Sequence, residues 1–159
     1  MTPDLRPLAP SDRTAWDRLW RGYQDFYGVD LPQATTERTW SRLLAPSEPV
    51  FGIVATVDSV VMGFTHGIFH RSTWLETETC YLQDLFVEPS ARGRGLARAL
   101  IDAVYRHADA HGAGQVYWLT HDKNLTARQL YDQMAHFSGF IAYERFVETP
   151  GLPAEDGQT

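Results

Sequence analysis

The sequence predicts one α/β domain, a mixed and mostly antiparallel β-sheet that contains a single parallel βαβ unit and is flanked by about four helices. Three observations carry this. Two aromatic-rich segments with helical spacing come first, between Asp12 and Gly28 and from Thr35 to Leu44. Two β-branched runs joined by the two-residue link Asp58-Ser59 follow. A strand, a glycine turn, a helix and another strand then run from Tyr81 to Leu119. At 159 residues and 43% hydrophobic composition the chain is long enough for one core, and no linker, repeat or low-complexity tract divides it. Residues 1–149 are taken as the domain. Residues 150–159, with two prolines, two glycines and two acids, are expected to be a frayed tail.

Leu5 to Leu8 makes a short first strand, and Pro10-Ser11-Asp12 starts a helix in which Trp16, Leu19, Trp20, Tyr23, Phe26 and Tyr27 recur at helical spacing. Gly28 ends it. A second helix from Thr35 to Leu44 turns Trp40, Leu43 and Leu44 to one side and is closed by Pro46. Val50 to Val57 and Val60 to Phe69 form an antiparallel hairpin. A strand from about Glu78 to Val87 leads through the glycine turn into a helix, Leu96 to Ala110, with Leu96, Leu100, Val104 and Ala108 along one face. Gly112 and Gly114 stop that helix. Gln115 to His121 is read as a strand parallel to the one before it, Thr126 to about His136 as a helix, and Phe140 to Val147 as a last strand.

Composition excludes several classes of function. A net charge of -6 and a pI near 5.4 disfavour a nucleic-acid binder and suit a cationic substrate. The single cysteine, Cys80, rules out an internal disulfide and reads as a small apolar strand residue. No signal peptide or apolar span of membrane length is found, so a cytoplasmic protein with no membrane partner is expected. No group of residues suggests a metal site.

The chemistry concentrates at two places on one sheet edge. In Arg92-Gly93-Arg94-Gly95-Leu96-Ala97-Arg98, glycines at the end of a strand let backbone N–H groups and the positive end of a helix dipole converge on an anion, with arginines adding charge. The natural guest is a phosphate or pyrophosphate. Downstream, Asn124, Ala127 and Tyr131 open the helix after the parallel strand; an amide there can hydrogen-bond a ligand, and a phenol can protonate a leaving group. A dinucleotide site is a poor alternative, because Arg98 stands where the third glycine of that fingerprint belongs.

Arg92-x-x-Gly95-x-Ala97 and Asn124-x-x-Ala127-x-x-x-Tyr131 resemble the two motifs of the GNAT superfamily of acetyl-CoA-dependent N-acetyltransferases. Tyr81-Leu-Gln-Asp-Leu-Phe-Val87 before Arg92-Gly93 is similar to the spermidine/spermine N-acetyltransferases. Val116 to Thr120 and Phe140 to Tyr143 are similar to microbial proteins related to histone and D-amino-acid acetyltransferases. The resemblance implies a GNAT fold whose two parallel strands splay apart. It also implies that the backbone of Leu85, Phe86 and Val87 pairs with the pantetheine arm of acetyl-CoA, and that residues Arg92 to Arg98 hold its pyrophosphate, with Asn124 and Ala127 also on the cofactor. Tyr131 is then the acid that protonates the CoA thiolate, and a backbone N–H near Phe86 stabilises the oxyanion.

One departure bears on the base. The polyamine enzymes carry a glutamate where this chain has Gln83, and an amide cannot take a proton. Asp84, His121, Glu76, Glu78 and His66 are candidates, with Asp84 favoured by adjacency, although strict strand alternation turns it to the face opposite Gln83. For the acceptor, Tyr23, Phe26 and Tyr27, with Asp25 and Asp30 near them, mix aromatic faces and carboxylates suited to an ammonium; Gln83 joins them as a substrate contact. The expected reaction is direct acetyl transfer to a small primary amine, such as a polyamine or amino acid. Lysine acetylation of a protein and a non-catalytic acyl-CoA sensor are the alternatives. Phe137, Phe140, Ile141, Tyr143 and Phe146 form an apolar end through which a homodimer is expected.

Overall fold

The two-residue link Asp58-Ser59 sets the sheet. Both residues take left-handed φ values, 50° and 66°, the twist that a tight hairpin between right-twisted strands requires. In the computed structural model, which describes residues 2–147, this hairpin joins β2 (Val50–Val57) to β3 (Val60–His70). β1 (Asp4–Pro7) pairs antiparallel with β2, and β4 (Thr79–Val87) antiparallel with β3. β5 (Gln115–Tyr117) runs parallel to the start of β4, so the strand order is β1-β2-β3-β4-β5.

Helices cover both faces. α1 (Arg13–Tyr27) and α2 (Gln33–Leu44) lie on one side, and α3 (Leu96–His111) on the other. Strand alternation divides the core accordingly. Ile53 and Ala55 pack with Leu96, Leu100, Ile101 and Val104 of α3, whereas Val54 between them packs with Trp16, Leu19 and Leu43. The aromatic stripe of α1 is continuous: Trp16 stacks on Trp20 with ring centroids 5.5 Å apart, and Trp20 on Tyr23 at 5.3 Å. α1 is tied to β1 by Arg6, which donates two hydrogen bonds to Asp12 and holds its carboxyl below the usual carboxylate range.

β3 and β4 are not in uniform register. His66 faces Asp84 and Gly67 faces Leu82, so Gln83 is an extra residue with no partner on β3. This is a β-bulge, and it bends the strand where it occurs. Gly67 beside it is covered by the ring of its β2 partner Phe51; a Cβ there would lie 2.1 Å from the Phe51 ring. Gly67→Ala is therefore expected to lower stability by about 1–3 kcal/mol, the usual cost of overpacking. A denaturant melt would check this.

The sheet departs from the sequence expectation at its last strands. β5 ends at Tyr117 instead of His121, and α4 (Leu125–Met134) follows. Phe140 to Val147, expected as a strand, makes no ladder among the described residues and is exposed, Tyr143 by 90% and Phe140 by 82%. A strand exists only through its neighbour, and a three-residue β5 offers this segment almost nothing to pair with. The proposed tail, 150–159, lies outside the described residues.

Candidate active site

β4 is paired on one edge at every residue but Gln83, and on the other only at Thr79, Cys80 and Tyr81. Beyond Tyr81, no described strand covers it. The ladder with β3 includes a bond from the Glu88 N–H to the Met62 carbonyl. Antiparallel pairing spends the groups of alternate residues, so those of Phe86 also point at β3, and those of Leu85 and Val87 point at the open edge. The sequence expectation of a donor near Phe86 is thereby narrowed to its two neighbours.

At the end of this edge the chain turns through Gly93 and Gly95, whose φ values of 75° and 79° are left-handed. A Cβ at either position would meet nothing within 4 Å, so backbone conformation, not crowding, is what asks for glycine. Gly95 is the N-cap of α3 and no side chain caps the helix, which leaves the first-turn N–H groups of Leu96, Ala97 and Arg98 without intrahelical acceptors. Uncapped donors, the dipole and the exposed Arg94 and Arg98 make an anion seat. Arg98 donates to Gln133, and Arg92 is engaged through its Nε. Its Nε donates to the Val87 carbonyl at 3.1 Å and its guanidinium lies 5.5 Å from the Phe86 ring centre, so it fastens the turn to β4.

Tyr131 is half-buried on α4 with its ring 5.4 Å from Trp118, and its hydroxyl makes no hydrogen bond among the described residues. Burial first, then the nearby Tyr27, raises its pKa above the ordinary phenol value, so it carries its proton at neutral pH. Asn124 sits at the N-cap of α4 but donates from its side chain to Thr120 instead of capping the helix; Ala127 lies one turn on. Cys80 is fully buried, and burial pushes its thiol up to about 11, which removes it as a nucleophile.

On the opposite side of β4, a cavity of about 480 Å³ lies beneath α1 and α2. The bulge at Gln83 suspends strict alternation, so that Gln83 and Asp84 both line it. Asp84 is held by two donors. The Tyr23 hydroxyl donates to Oδ1 at 2.6 Å, and His66 Nδ1 lies 2.9 Å from Oδ2. Trp16 Nε1, which can only donate, is 2.9 Å from His66 Nε2. That nitrogen must accept, so the proton of the neutral ring sits on Nδ1 and is donated to Asp84. The chain Trp16–His66–Asp84–Tyr23 thus has every donor matched and leaves further lone pairs of the carboxylate for a ligand. Burial first, then the charge and hydrogen bond of Asp84, keep the Tyr23 phenol protonated.

Of the sequence candidates, Tyr23, Tyr27, Gln83, Asp84 and His66 meet in this cavity. Phe26 does not; it lies with Phe86 and Arg92 in a neighbouring groove, and Asp25 and Asp30 line another recess beside Arg21. Glu78 pairs with His111 and His121 with Asp122, both away from the cavity, and Glu76 is exposed in the loop before β4. Sequence reasoning missed Trp20, Ile68, Thr35, Thr39 and Arg42 as cavity walls. The polar trio among them was legible as i, i+4, i+7 on one helix face.

Residues 16–137 match the acetyltransferase (GNAT) family. The D-amino-acid N-acetyltransferase of Saccharomyces cerevisiae is 34% identical over 143 residues, covering 89% of each chain. Among solved structures, a ribosomal-protein-alanine N-acetyltransferase from Brucella melitensis superposes with a TM-score of 0.76 at 21% identity, over 91% of this chain and 100% of that one. AAC(6′)-Iy, in complex with the bisubstrate analogue CoA-S-monomethyl-acetylneamine, superposes with a TM-score of 0.69 at 22% identity, over 94% and 97%. By its family match and its relative over nearly the whole length, the chain belongs to the GNAT acetyltransferases and is an acetyltransferase enzyme.

Proposed function

We propose that the protein transfers an acetyl group from acetyl-CoA directly to the primary amine of a small molecule, with both substrates bound at once. The observation that carries this is the placement of β4 between an open backbone edge that ends in an uncapped helix and a cavity floored by Asp84. Acetyl-CoA supplies the thioester. The backbone groups of Leu85 and the Val87 N–H suit an extended amide chain, as an added strand would use them, while the Val87 carbonyl accepts from Arg92. The turn from Gly93 to Arg98 suits a pyrophosphate, with Arg94 and Arg98 as its charges and Arg92 fixing the turn in place. The same N–H groups on β4 stabilise negative charge developing on a thioester oxygen laid along the edge.

Asp84 orients the acceptor ammonium and takes one proton from it, directly or through a water. The neutral nitrogen then forms the C–N bond as the C–S bond breaks, Tyr131 gives its proton to the departing sulfur, and the second proton that the nitrogen loses as the amide forms returns through solvent to the Tyr131 phenolate. Tyr23 and Tyr27 present aromatic faces to the cation. An amine panel assayed for CoA thiol release tests the proposal. Release with at least one small amine supports it; bound acetyl-CoA with no release from amines or peptides identifies a sensing module, and release only with peptides identifies a protein acetyltransferase.

A homodimer is part of the proposal. Phe140, Ile141, Tyr143 and Phe146 are exposed on a segment that has no ladder partner among the described residues, and no described strand pairs with the outer edge of β5. The wild-type protein is expected to run as a dimer by light scattering at micromolar concentration, and the pair Phe140→Glu, Ile141→Glu as a monomer. A monomeric wild type would refute this. No helix among the described residues is long and apolar enough to cross a membrane, and Cys80 is free; we place the enzyme in the cytoplasm.

A further inference from the structure

The acceptor cavity is not uniformly suited to cations. Asp84 supplies negative charge at its floor, but α2 presents Thr35, Thr39 and Arg42 to the same space, one polar face spanning about 10 Å of helix. Arg42 is exposed and also lines a neighbouring groove with Glu37 and Glu48, but no carboxylate lies within ion-pair distance of it among the described residues. Arg13 is spent on Asp17 and Glu37, and Arg18 on Glu88; Arg21 and Arg38 stand on the same helices, but neither lines the cavity. In a chain of net charge -6, an unpaired guanidinium beside two hydroxyls is a place for an anionic group. Val29, Leu31, Leu43, Val50 and Ile68 add apolar wall that suits a hydrocarbon side chain.

Resting on the acceptor cavity proposed above, we infer that the acceptor is a zwitterionic amino acid whose ammonium is held at Asp84 and whose carboxylate is held at Arg42. A guanidinium pairs with a carboxylate in a planar, bidentate fork, and the Thr35 and Thr39 hydroxyls donate to whatever lone pairs remain. A polyamine is disfavoured by the same arrangement, because its second ammonium would face Arg42 instead of a carboxylate.

The test compares D- and L-amino acids with apolar side chains against their own C-terminal amides, which keep the amine and lose the charge. Wild type is expected to favour the acid over the amide by about tenfold or more in kcat/KM, the difference residing in KM. Arg42→Ala brings the acid-to-amide ratio to within about twofold, Arg42→Lys restores part of it, and Arg38→Ala, which removes a charge from the same helix outside the cavity, keeps the wild-type ratio. Isothermal titration with the same pairs reads the site without turnover. An acid preference in binding that is lost in Arg42→Ala supports the carboxylate site. Equal binding of acid and amide, or a preference that survives Arg42→Ala, overturns it. CoA release absent from every amine would instead overturn the proposed reaction, and the titration would still decide whether Arg42 holds a carboxylate.

Discussion

Tyr131→Phe is expected to acetylate its acceptor roughly 100-fold or more slowly than wild type while binding acetyl-CoA with the same Kd, the loss typical of removing a positioned general acid. The substitution deletes one oxygen and keeps the ring against Trp118, 5.4 Å between centroids. That hydroxyl has no partner among the described residues, so removing it leaves no orphaned group behind and stability should hold. Burial and the neighbouring Tyr27 raise its pKa, and the active form is the protonated one. Activity therefore falls only as pH rises through that raised value, and below about pH 10, the ordinary phenol value, Tyr131 contributes no basic limb to kcat. Equal kcat values for Tyr131→Phe and wild type would remove the phenol from the mechanism.

Asp84→Asn should be the second most damaging change, and its pH dependence separates chemistry from structure. At neutral pH kcat/KM is expected to drop roughly 100-fold, because an amide neither attracts an ammonium nor takes its proton. The deficit should narrow as pH rises toward the range where the free amine loses its proton unaided. Some stability is lost as well, about 1–3 kcal/mol, the cost of a mismatched buried polar group. Trp16 fixes the proton of His66 on Nδ1, and an asparagine nitrogen turned that way meets a donor with a donor. If the loss of activity were the same at every pH and tracked the unfolded fraction, Asp84 would be a structural residue only.

The glycine turn and the helix after it were readable in the sequence because they are local. Gly93 and Gly95 needed left-handed φ at a strand end, and the apolar face Leu96, Leu100, Val104 and Ala108 has a plain helical period; the structure buries all four. On the other side of β4 the sequence named Tyr23, Tyr27, Gln83, Asp84 and His66 but not how they connect, because the cavity is made of groups far apart in sequence. Trp16, His66 and Asp84 come from three elements, and each alone reads as a core aromatic, a strand histidine and an acid beside a bulge that periodicity cannot register. The expected last strand failed for a related reason. Phe140 to Val147 has the β-branched and aromatic content of a strand, but content does not provide the neighbouring ladder that makes one.

The extra residue in β4 deserves a genetic reading. β5 pairs with Thr79 to Tyr81, before the bulge, and Asp84 comes after it, so the placement of the acid in the cavity beside Gln83 depends on there being a residue at 83 with no partner. Position 83 contributes length to the strand as well as a side chain on the cavity wall. Substitutions of Gln83 should then preserve the fold and change acceptor binding only, whereas deleting it would restore regular pairing with β3 and straighten the strand. Across a library of variants scored for folding, position 83 would stand out as permissive to exchange and intolerant of loss.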